Sequence, residues 1–117
     1  MPCGTALLVE DDPEVAALTR EMLVFLGFEV VHAASPVAAL GALANGRRVD
    51  VVFSDIMMPG GISGLELGRE IRRRQPDLRI VLTTGYSEAA AAMDSAEFTL
   101  LLKPYSLDGL SQALGIA

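Results

Sequence analysis

Three short apolar runs in this chain end in charge. Ala6–Val9 leads into Glu10, Asp11 and Asp12, and Val49–Ser54 leads into Asp55. Phe98–Leu102 leads into Lys103, the only lysine, where every other basic residue is an arginine. If these runs are neighbouring parallel strands, their ends gather several carboxylates and one ammonium in a single crevice. Like charges held that close raise one another's pKa unless a cation compensates. Mg²⁺ suits such a place, because it is a hard ion that keeps several waters and takes one or two carboxylates plus phosphate oxygens. No histidine or cysteine lies within these stretches, which weighs against zinc. A carboxylate held beside Mg²⁺ can also act as a nucleophile and give an aspartyl-phosphate. The metal and the ammonium point charge of Lys103 would neutralise a transferring phosphoryl group, while a threonine hydroxyl donates to a third oxygen.

Such a crevice needs elements to build it, and strand and helix signals alternate along the whole chain. Ala6–Val9 is too short for a helix. Asp12-Pro13 then supplies an N-cap and a proline at the first helical position, opening a helix whose apolar face reads Val15, Leu18, Met22 and Leu26. Gly27 stops it. Glu29–Ala33 reads as a second strand, and Ser35-Pro36 opens a helix to about Ala44. Asn45-Gly46 leads to the third strand, Val49–Ser54. Ser63 and Glu66 have capping-box spacing and start a helix reaching about Gln75. Arg79–Thr83 is the fourth strand, Ser87–Asp94 a short alanine-rich helix, Thr99–Leu102 the fifth strand and Ser106–Leu114 the last helix. The outcome is five βα units with continuously apolar strands, as expected for a parallel sheet covered on both faces. Right-handed crossovers place a ligand site outside the strands' carboxyl ends, where Glu10, Asp11, Asp55, Thr83, Thr84 and Lys103 all lie.

The bulk numbers set the frame. With 117 residues the chain is one domain, spanning 1–117, and its 51% hydrophobic and 21% charged residues have a globular balance. A formal net charge of -6 argues against direct nucleic-acid binding. The cluster Arg72–Arg74 falls at a predicted helix C-terminus, where cations are favoured, and reads as a solvated face. No run reaches membrane-spanning length and no signal-peptide pattern opens the chain, so a cytoplasmic domain without membrane contact is expected. The lone Cys3 is compatible with a reducing compartment.

At four places the sequence resembles the receiver domain of two-component response regulators: Leu8-Val9-Glu10-Asp11-Asp12-Pro13, Ser54-Asp55-Ile56-Met57-Met58-Pro59, Leu82-Thr83-Thr84-Gly85 and Leu102-Lys103-Pro104-Tyr105. The wording Met58-Pro59-Gly60-Gly61-Ile62-Ser63-Gly64 with Thr84-Gly85-Tyr86 is most similar to the C-terminal receivers of hybrid histidine kinases. The resemblance implies a flavodoxin-like (βα)5 doubly wound sheet of strand order 2-1-3-4-5. It implies Asp55 as phosphoacceptor, Asp11 as a direct Mg²⁺ ligand, Glu10 acting mainly through water, and the Met57 backbone carbonyl as a further ligand. Thr84 would be the switch hydroxyl and Lys103 the phosphate partner, aimed by a cis Lys103–Pro104 peptide. The donor would be a phosphohistidine on a histidine kinase or histidine phosphotransfer protein, with a homodimer left open. Such a domain is a phosphoacceptor that assists its own phosphorylation and dephosphorylation, not a conventional enzyme. The chain departs from the usual pattern in a loop one residue longer after Pro59, in Ser63 where an aspartate is common, in a short 85–100 segment, and in Leu100 where many members carry a switch aromatic. Those departures keep a degenerate, interaction-only receiver as the alternative.

Plainer readings apply to several residues. Asp12 reads as a helix cap, His32 as a structural histidine, and Met57 and Met58 as packing residues. Gly60-Gly61 lacks dinucleotide or Walker spacing. A haloacid-dehalogenase-like phosphotransferase would carry a second aspartate two residues after the nucleophile, and that position here is Met57. A flavodoxin-like FMN domain would need a hydroxyl- and glycine-rich phosphate loop, which nothing in the chain offers.

Overall fold

The computed structural model describes residues 4–46, 48–56, 63–84, 99–102 and 106–114, apart from the side chains of Thr84, Leu100 and Leu102. The elements are β1 (Gly4–Val9), α1 (Pro13–Phe25), β2 (Phe28–Ala33), α2 (Pro36–Ala44), β3 (Val51–Asp55), α3 (Gly64–Arg74), β4 (Arg79–Thr84), β5 (Thr99–Leu102) and α4 (Leu107–Ala113). All the strand pairs are parallel and their order is β2-β1-β3-β4-β5. The fold is therefore the flavodoxin-like doubly wound sheet that the resemblance implies. The alanine-rich helix expected over Ser87–Asp94 lies outside the described residues, as do Met57, Lys103 and the Lys103–Pro104 peptide.

Side chains alternate across the sheet because successive Cβ atoms of a strand point to opposite faces. Leu7, Val9, Val52, Ile80 and Leu82 pack with Ala39 of α2 and with Leu67 and Ile71 of α3. Ala6, Leu8, Val51, Phe53 and Val81 pack with Ala16 and Leu23 of α1 and with Leu110 and Ala113 of α4. Two apolar layers thus clamp the central strands, which explains their unbroken runs of valine, leucine and isoleucine.

The helix starts follow local chemistry. Asp12 caps α1, its carboxylate accepting from the backbone N–H of Glu14 (2.9 Å) and Val15 (3.3 Å). Ser35 caps α2 through Ala38 N–H (3.1 Å), and Pro36 takes the first helical position. Ser63 and Glu66 form the expected capping box on α3.

The buried face of α1 is shifted from the one the apolar pattern predicts: Met22 and Leu26 pack on the core as expected, and Leu18 does not. Ala16, Thr19 and Leu23 are buried, Val15, Met22 and Leu26 are partly so, and Leu18 is 63% exposed. The stripe is set by close approach: small Ala16 and Thr19 let the helix lie near the sheet, and hydrophobicity alone passes over both. Truncating Leu23 to alanine should therefore cost about 2–4 kcal/mol, whereas Leu18→Ala should stay within about 0.5 kcal/mol. Denaturant midpoints of the two variants check this, and a larger loss at Leu18 would refute the assigned face.

Among the described residues no helix is long and apolar enough to cross a membrane.

Candidate functional site

Strand register brings the predicted carboxylates to one edge. Val9 of β1 pairs with Ser54 of β3, so Glu10 and Asp55 are the next residues along adjacent parallel strands. Both are buried: Glu10 is 5% exposed and Asp55 9%. Asp11, one residue further on, is exposed. β3 runs to Asp55, one residue beyond the sequence expectation, because Asp55 is in register with Thr83 of β4. Asp55 is thus held on the last rung of a strand paired on both sides rather than in the following loop. Rigid elements position reactive groups more closely than loops do.

The backbone around Asp55 is fixed from three directions. Ser54 is fully buried and its hydroxyl donates to the Asp55 carbonyl oxygen (3.0 Å). Ile56 N–H donates to the Thr83 carbonyl (2.9 Å), and Gly64 N–H donates to the Ile56 carbonyl (2.9 Å). Gly64 opens α3 against the end of β3, so close that a Cβ there would lie 2.0 Å from the Asp55 carbonyl oxygen. Within the motif Met58–Gly64 the sequence alone assigns Gly64 no role. The available signal was a helix-disfavouring glycine just after the Ser63 cap.

The acidic loop after β1 is a chain of hydrogen bonds. Glu10 N–H donates to the Ala33 carbonyl (3.1 Å), continuing the β1–β2 ladder. The Glu10 carboxylate accepts from Asp12 N–H (3.2 Å), and Asp12 in turn caps α1. Asp12 is accordingly a cap. His32 lies in β2, opposite Leu8, and its Nε2 is 2.8 Å from the Glu10 carbonyl oxygen. A histidine therefore touches the acidic loop although none lies within the motifs. It was missed because only the strand pairing brings positions 10 and 32 together.

Thr83 is buried and Thr84 ends β4, with Leu102 as its β5 neighbour. The Thr84 side chain, Lys103 and the Met57 carbonyl lie outside what the structure describes. Among the described residues, no three His, Cys, Asp or Glu side chains converge into a group able to hold a metal by themselves. The donor set that is present consists of carboxylate oxygens at two neighbouring strand ends. It fits an ion such as Mg²⁺ that completes its shell with water and phosphate oxygens, and does not fit an all-protein cage.

The arginine cluster ending α3 is engaged elsewhere. Arg73 and Arg74 both pair with Glu70, and the Arg72 guanidinium donates to the Pro76 carbonyl (2.7 Å). The Arg74 hydrogen bond, followed by that of Arg73, holds the Glu70 carboxyl below its usual range. This is the solvated face expected of a helix C-terminus rather than a phosphate grip.

A doubly wound parallel sheet with a buried carboxylate ending its central strand, and an acidic loop on the neighbouring strand, is the architecture of a receiver-type α/β domain. Residues 6–115 match the model of the response regulator receiver domain, and the chain belongs to that family. It is 40% identical over 112 residues to the sensor kinase CckA of Brucella abortus (strain 2308), a match covering 92% of this chain and 12% of that protein's length. The crystal structure of the receiver domain of the hybrid histidine kinase CckA superimposes with a TM-score of 0.77 at 28% identity, over 96% of both chains. These two likenesses agree with the hybrid-kinase wording of the motifs. The response regulator TrrA of Thermotoga maritima, solved in complex with Mg(2+)-BeF, has a TM-score of 0.86 at 33% identity, over 98% of this chain and 97% of that one. TrrA has also been solved in complex with the histidine kinase ThkA, with a TM-score of 0.84 at 34% identity.

Proposed function

We propose that this receiver accepts a phosphoryl group from a phosphohistidine onto Asp55, in a Mg²⁺-dependent reaction, and signals in the cytoplasm through protein contacts. The observation that carries the reading is the buried Asp55 carboxylate on the last rung of β3, one rung beyond the Val9–Ser54 pair and level with Glu10. A carboxylate oxygen attacks phosphorus, forming the P–O bond as the donor's P–N bond breaks and the imidazole leaves with the electron pair. Asp11, Asp55 and the Met57 carbonyl would hold the ion directly, and Glu10 through water. When bound, Mg²⁺ supplies positive charge against the phosphoryl oxygens. Lys103 would neutralise a further oxygen and Thr84 would donate to another, roles that rest on the motif resemblance. The TrrA complexes support the same reading, since that relative was captured with a magnesium–beryllium fluoride ligand and with a histidine kinase.

Beryllofluoride, a stand-in for the phosphoryl group, gives a direct test. Amide shifts at Glu10, Asp55, Ile56 and Thr83 should appear only when Mg²⁺ and beryllofluoride are both present. The remote response should be concentrated at residues 84–88 with little movement at Leu100, which has no aromatic ring to flip. Shifts across β5 and α4 that spare residues 84–88 would contradict this. No response at all would leave the interaction-only receiver as the better description.

A further inference from the structure

We propose that His32 is a positioning residue for the phosphoryl site, acting as a clasp that presets the Glu10–Asp12 loop for a divalent cation. The inference rests on the function proposed above and on one non-local contact, the 2.8 Å approach of His32 Nε2 to the Glu10 carbonyl oxygen. A carbonyl oxygen only accepts, so Nε2 carries the hydrogen.

The contact is placed where the chain leaves the sheet. The last regular hydrogen bond between β1 and β2 beyond their paired residues is Glu10 N–H to the Ala33 carbonyl. Beyond it the Glu10 carbonyl has passed the end of β2, and the His32 ring reaches forward to hold it. Both sides of residue 10's backbone are then tied to β2. The Glu10 carboxylate accepts from Asp12 N–H, and the Asp12 carboxylate accepts from Glu14 and Val15 N–H. The sequence ring–carbonyl, carboxylate–amide, carboxylate–helix runs unbroken from β2 to the first turn of α1. Asp11 sits between two residues so fixed, with its own side chain left exposed.

An exposed acidic loop without such a tie would relax outward, since its carboxylates repel one another when no cation is bound. A partner that orients a ligand-bearing segment contributes to metal affinity without touching the ion. A histidine near the end of β2 serving only as surface would need no bond to the one carbonyl that precedes Asp11.

The test uses the full chain and three variants: His32→Ala, which removes the donor, His32→Gln, which restores an N–H donor at similar reach, and Glu29→Gln, an exposed change elsewhere on β2. Exchange of the Glu10 and Asp12 amides in metal-free protein reads the clasp, and calorimetric titration with Mg²⁺ reads its consequence. His32→Ala should speed exchange at both amides and weaken Mg²⁺ binding by about three- to tenfold, the span of one net hydrogen bond. His32→Gln should recover most of both, and Glu29→Gln should match the parent. Unchanged exchange and affinity in His32→Ala would overturn the proposal. So would equal losses in the alanine and glutamine variants, because the ring's bulk rather than its N–H would then be responsible. A parent that shows no Mg²⁺ response overturns the metal reading, and the role given to His32 with it. That failure is told apart from failure of the clasp by the metal-free exchange.

Discussion

Asp55→Asn should take up no phosphoryl group from a small donor under conditions that label the parent fully, and its fold should be intact. The substitution keeps the shape of a side chain that is 9% exposed and removes its nucleophilic oxygen. The side chain keeps its size in a buried position, so the thermal midpoint should stay close to the parent's. The loss is therefore chemical rather than structural. Labelling of the variant at the parent's rate would move the phosphoacceptor elsewhere, and a collapse in stability would show that Asp55 serves the fold.

Gly64→Ala should damage both stability and phosphoryl uptake. The new Cβ would lie 2.0 Å from the Asp55 carbonyl oxygen and 2.8 Å from both the Asp55 carbonyl carbon and the Ile56 Cα. All three are backbone atoms, so no change of rotamer relieves the overlap. The start of α3 must move away from the end of β3, lengthening the Gly64–Ile56 hydrogen bond of 2.9 Å. We expect a loss of about 2–4 kcal/mol. Phosphoryl uptake should slow by about tenfold or more, because small displacements of a reacting group are costly. Gly41→Ala is the informative control, since it lies within α2 with nothing within 4 Å of the added methyl. There alanine should stabilise by about 0.5–1 kcal/mol. Opposite signs at the two glycines, read from denaturant midpoints, are the expected result; gains at both would show that α3 does not abut Asp55.

What could be read in the sequence was governed by local physics. Asp12-Pro13, Ser35-Pro36 and the Ser63–Glu66 pair start helices through hydrogen bonds spanning two or three residues, and all three start where expected. The strands were legible because a sheet covered on both faces needs unbroken apolar runs. The placement of Glu10 and Asp55 at one edge followed from topology, and the β1–β3 register agrees with it. Features that depend on how closely elements approach were not legible. Leu18 looked like core, yet it is 63% exposed and Thr19 is the buried residue, because the face α1 turns to the sheet is fixed by tertiary packing rather than by its apolar pattern alone. His32 acquires its contact only through the β1–β2 register. Gly64 matters because of a backbone carbonyl nine residues earlier in the chain.

Phosphoryl transfer to Asp55 can be read by intact-mass and peptide-mapping analysis after incubation with a small phosphodonor, with Mg²⁺ and with excess chelator. A single phosphoryl adduct, mapped to Asp55, should form with Mg²⁺ and be absent with chelator. An adduct on another residue, or equal labelling in chelator, would contradict that assignment.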